Sequence, residues 1–64
     1  MDGYRIKNTF MAYAVGAARA ERFKNWDIAA DLWEKAALRP VNAHQHKWAT
    51  RRKAFCENAH LKGW

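Results

Sequence analysis

The sequence predicts an all-α fold: an αα-hairpin plus a third helix, a small helical bundle that associates with further copies of itself. Two observations carry this expectation. Trp26, Ala29, Ala30, Trp33, Ala36 and Ala37 recur at steps of three and four, the spacing that lines one stripe of a helix. Phe10, Tyr13, Ala14, Ala17 and Ala18 keep a similar spacing just upstream. The connection between them, Phe23 to Trp26 with Asn25 inside it, is so short that the two helices must pack back to back. Alanines let backbones approach and tryptophans fill the remaining space, so the stripe is core before it is anything else.

Each element follows in order. Residues 1–9 hold a weak alternation through Tyr4, Arg5, Ile6 and Lys7. So short a stretch frays more readily than it pairs, which makes it an N-terminal arm before a single helical domain at 10–64. Helix one is expected from Asn8 or Thr9, either able to cap free backbone amides, to about Arg22. Gly16 lies inside it, a loss of up to about 1 kcal/mol relative to Ala that makes sense where another backbone comes close. Helix two spans about Trp26 to Leu38, with Asp27 near its positive end and Asp31 with Lys35 as an i,i+4 pair. Pro40 ends it. Asn42 followed by Gln45 resembles a capping box, so helix three runs from Ala43 to about His60, with Gly63 just past its end. Trp48, Arg52, Phe55, Cys56 and Ala59 form its apolar stripe, interrupted by one Arg stem, and this stripe should close over the hairpin. Ile28 and Leu32 stand off the main stripe of helix two, so that helix is apolar on a second side that needs cover.

Composition bounds the function. A chain of 64 residues builds at most one marginal core, and such chains lean on disulfides, metals or partners. Cys56 is the only cysteine, so no internal disulfide forms and a lone thiol suits a reducing cytoplasm. No apolar run approaches the roughly 20 residues of a membrane span, and no apolar signal core precedes Thr9. The formal charge of +6 is uneven. Residues 1–38 carry six Lys or Arg against five Asp or Glu, and residues 39–64 carry six against one. A basic C-terminal part suits nucleic acid, an anionic surface or an acidic protein face.

Catalytic readings find little support. There is no serine, and neither Thr9 nor Thr50 has a plausible base beside it in sequence. Cys56 and His60 share a helix face at i,i+4, half of a metal or thiol site, but His44 and His46 are two apart and point to different sides. The plainer reading makes Cys56 a small core residue and His60 a solvated end. Gly3, Gly16 and Gly63 are scattered, so no phosphate-binding loop exists. The expectation is a protein without catalytic residues, cofactor or metal.

Two resemblances remain. The steps Trp26, Ala29, Trp33, Ala36 and then Pro40 are similar to the second helix of a tetratricopeptide unit, but one copy describes a helix pair and not an array. Glu21-Arg22, then Ala29-Ala30-Asp31-Leu32-Trp33, then Trp48-Ala49-Thr50-Arg51-Arg52-Lys53-Ala54-Phe55-Cys56, in that order, resemble the AraC negative regulators, a family of small bacterial regulators. The likeness runs from about Ala12 to His60. It departs from the family at Phe23-Lys24-Asn25, where a glycine is expected near the turn. The resemblance implies an antiactivator that binds an AraC-type transcription activator directly and damps its action at virulence promoters, by blocking its dimerisation or its DNA contact. The residues expected to meet the activator are Ile28, Leu32 and Leu38 as an apolar edge, with Lys47, Arg51 and Lys53 steering the approach. The rival is a small basic DNA-binding or nucleoid-associated regulator gripping phosphates through Lys47, Arg51, Arg52 and Lys53 with His44 and His46. Side chains suited to base edges are sparse there, so only nonspecific affinity at low salt is expected.

Overall fold

A computed structural model describes residues 9–39 and 42–64. The arm before Thr9 and the helix-ending role of Pro40 lie outside the described residues. The described residues form three α-helices and no strand: α1 (Thr9–Arg22), α2 (Trp26–Ala37) and α3 (Ala43–Lys62). Helix three is two residues longer than its pattern suggested, because the backbone stays helical until Gly63 adopts a left-handed φ of 72°. At its start Asn42 behaves as expected, its side-chain oxygen accepting from the Gln45 amide at 2.9 Å.

The α1–α2 turn explains how the chain manages without glycine. Asn25 N–H donates to the Ala20 carbonyl and Lys24 N–H to the Glu21 carbonyl, both at 2.9 Å, the bond pair of a Schellman turn. Lys24 occupies its left-handed position at φ 59°. The end of α3 repeats the motif: Trp64 N–H reaches the Ala59 carbonyl at 2.9 Å and Gly63 N–H the His60 carbonyl at 3.3 Å. There the left-handed residue is the usual glycine.

Helix α2 packs against both neighbours, while α1 and α3 approach one another chiefly through long side chains. The Cα envelope measures 40 × 23 × 12 Å. With packed axes about 8–10 Å apart, a section twice as wide as deep is an open row with α2 in the middle rather than a closed triangle. Among the described residues, eight of the eleven buried core residues are alanines; the others are Phe10, Trp33 and Cys56. The core therefore works by close backbone approach around two rings, Trp33 and Phe10.

Two expectations about α1 change. Ala18 is exposed and Ala20 is buried instead: the buried residues of α1 are Phe10, Ala14, Ala17 and Ala20, and an alanine carries no preference that would show its direction. Gly16 does not mark close backbone contact: a Cβ placed there would meet only Leu32 Cδ1, at an ordinary 3.5 Å.

Candidate functional site

The inner stripe of α1 ends in an acid. Glu21 follows Phe10, Ala14 and Ala17 at helical spacing, so its carboxylate faces the other helices, and three donors converge on it. Trp33 Nε1 on α2 donates to Oε2 at 2.6 Å. Arg52 on α3 binds Oε1 through Nη2 and lies 3.3 Å from Oε2 through Nε. Cys56 Sγ, one turn further along α3, donates to Oε2 at 3.4 Å. One carboxylate thus ties all three helices, and the ion pair is largely sheltered, with 17% of the Glu21 and 35% of the Arg52 side chain exposed.

Electrostatics follow from that arrangement. Burial opposes the Glu21 charge, but the hydrogen bonds from Arg52, Trp33 and Cys56 outweigh it and hold the carboxyl below its ordinary value. The same hydrogen bond raises Arg52 despite its partial burial. Burial and the neighbouring Glu21 charge push the Cys56 thiol up to about 12. A buried, protonated thiol is a poor nucleophile and a poor metal ligand.

Rings stack on both sides of this node. Trp48 stands edge-on to Trp33 at 5.2 Å and tilted against Phe10 at 5.8 Å. Beyond Arg52, whose guanidinium lies 4.5 Å over the Phe55 ring, Phe55 meets Trp26 at 5.8 Å and Trp64 at 5.7 Å. Trp26 Nε1 is buried without a hydrogen-bond partner among the described residues. Arg52, the stem that interrupts the apolar stripe of α3, is thus the link between two aromatic groups.

The expected contact residues scatter around this frame. Ile28 and Leu38 are 51% and 71% exposed. Leu32 is half-buried, packed against the core beside Gly16 in the α1–α2 seam. Lys47 and Arg51 stand together on the outer edge of α3 with His44 and Trp48. Lys53 lies on another side of that helix, paired with Glu57 at 3.5 Å. His46 does not join the cationic edge; its Nδ1 lies 3.0 Å from the Ala37 carbonyl and closes the C-terminal end of α2. Cys56 is buried while His60 is exposed, so the pair does not form a half-site. Among the described residues no group of His, Cys, Asp and Glu is placed to hold a metal, and no helix is long and apolar enough to cross a membrane.

Fold and site together define a small helical protein whose three described helices are pinned by one carboxylate, guanidinium and indole node, with large apolar side chains left outside. No family model matches the chain, and no solved structure does. Over 55 residues it is 33% identical to an uncharacterized protein in the Mu-like prophage FluMu region of Haemophilus influenzae, a match covering 86% of this chain and 74% of that protein. The chain belongs to the family of that prophage-region protein.

Proposed function

We propose that this protein is a transcriptional negative regulator: an antiactivator that binds an AraC-type virulence activator and blocks its dimerisation or its DNA binding. One observation carries the reading. The three segments that resemble AraC negative regulators supply all four residues of the node, Glu21 from the first, Trp33 from the second, Arg52 and Cys56 from the third. Likenesses due only to helical composition would have no reason to meet at one carboxylate. In this reading the node holds the frame, and recognition falls to what the frame leaves in solvent. Ile28 and Leu38, flanked by Leu32, enter a groove on the activator, while Lys47, Arg51 and Lys53 speed the approach to an acidic surface. The protein acts in the cytoplasm, self-associates while free of activator, and uses no catalysis and no cofactor.

The test uses Ile28→Glu, since Leu32→Glu would also disturb the α1–α2 seam. The Ile28 variant is expected to keep its helical circular dichroism and to lose capture of purified activator, because a charge would be desolvated in the contact. Reversing Lys47, Arg51 and Lys53 should weaken binding moderately and mainly through the association rate. A DNA-binding regulator would show the opposite: tight, salt-sensitive duplex binding abolished by the reversals, with no capture of activator by the parent chain.

A further inference from the structure

We infer that the Trp33 face of the helix row carries a second docking groove, one that receives an amphipathic helix flanked by carboxylates. It goes beyond the antiactivator reading and does not depend on it. Met11, Val15, Ala18 and Arg22 follow one another along α1 at steps of four, three and four, the repeat by which one helix packs along another. Met11 nevertheless stays 43% and Val15 52% exposed. Trp48 rises opposite them on α3, Trp33 forms the floor, and the Glu21–Arg52 pair closes one end of a groove of about 240 Å³. From Met11 to Ala18 the stripe runs about 10 Å, two helical turns, which matches anchors at i, i+4 and i+7 of an incoming helix.

Charge selects the occupant. The rim is cationic: Arg22 continues the α1 stripe, and Lys47 and Arg51 flank Trp48. Among the described residues none of these three pairs with a carboxylate. Among the described lining residues Glu21 is the one carboxylate, and Arg52 already neutralises it. Asp27, Asp31, Glu34 and Glu57 gather instead along the α2–α3 seam. At 100° per residue the three on α2 stand roughly 100–160° round from Trp33, away from the groove. A second copy laid face to face would set one cationic rim against another, and duplex DNA would satisfy the rim but not the apolar floor. A helix with a leucine-type stripe and acidic flanks satisfies both.

The experiment measures fluorescence anisotropy of two labelled peptides with the full chain, each about 18 residues so that helix can persist. Both carry leucines at i, i+4, i+7 and i+11; one has glutamate flanks, the other lysine flanks. The glutamate peptide should bind at least about tenfold more tightly than the lysine peptide. Val15→Glu should weaken it about tenfold or more, Val15→Ala less but in the same direction, and Ile28→Glu should leave it unchanged, with helical content checked for each variant. Equal binding of the two peptides overturns the inference, as does a loss caused by Ile28→Glu and not by Val15→Glu. Loss of self-association in Val15→Glu would give the groove to a second copy and overturn it too. Duplex DNA that displaces the glutamate peptide, and whose binding falls with Arg51→Glu but not with Val15→Glu, would assign the rim to nucleic acid instead.

Discussion

Glu21 accepts from Trp33, Arg52 and Cys56 at once, so its charge is coupled to folding. Its carboxyl lies below the ordinary 4.5 in the folded chain. As pH falls past that value the unfolded chain takes up this proton first, and the folded state loses its advantage. The contribution is therefore complete above about pH 4.5 and disappears as pH drops through the folded value. Glu21→Gln should lower the unfolding free energy from urea titration at pH 7 by about 1–3 kcal/mol, for a sheltered ion pair left without its anion. The difference between parent and variant should shrink as pH falls below 4.5; a constant difference from pH 7 to pH 3 would show that the charge is not what the node uses. The pairing of Glu21 with Arg52 spans 31 residues, a separation that helical periodicity does not reveal. A usable signal existed: one acid on the inner stripe of α1 and one base on the inner stripe of α3, each surrounded by apolar or small residues. Opposite charges embedded in two buried stripes have to find each other. Trp33 and Cys56 were legible as core, but their hydrogen bonds were not, because periodicity gives direction and not partner.

Helix boundaries and caps were mostly readable, since Asn42, Gln45 and Gly63 act through local backbone geometry that sequence encodes directly. The α1–α2 turn was not, because Lys24 adopts a conformation that nothing in its side chain favours. A left-handed non-glycine residue is strained by about 1 kcal/mol or more, partly offset by the smaller backbone entropy it loses on folding. Lys24→Gly is therefore expected to raise stability by a few tenths to about 1 kcal/mol. Gly16→Ala should also stabilise, by about 0.5–1 kcal/mol, since a Cβ there meets only Leu32 Cδ1 at 3.5 Å and helix propensity favours alanine. Gly63→Ala should do the reverse, because its φ of 72° is the same strained conformation already relieved. Thermal unfolding of the three variants checks the set, and a destabilised Gly16→Ala would mean that the α1–α2 seam is tighter than these contacts indicate.

At the scale of the whole molecule, the open row follows from its alanines. Eight small side chains among the eleven described core positions bring the helices close but remove little apolar area per residue, and burial supplies roughly 25 cal/mol per Å². A unit so built is short of the stabilisation that larger side chains give, while Phe23, Ile28 and Leu38, at 71%, 51% and 71% exposure, remain in water. Association that covers them stabilises the folded state by mass action. Sedimentation equilibrium should therefore give a mass above 7.5 kDa that rises through micromolar concentrations, with a thermal midpoint that rises in parallel, and Ile28→Glu should reduce both effects. A folded, strictly monomeric parent chain across that range would contradict this. Because the edge around Ile28 is also the surface proposed to hold the activator, the two uses exclude one another. Titrating purified activator into the protein should dissociate the self-associated species while the mixed complex forms, so that the homo-oligomer declines as activator is added. If the oligomer persists intact within the complex, self-association and activator binding use different faces, and Ile28 belongs to only one of them.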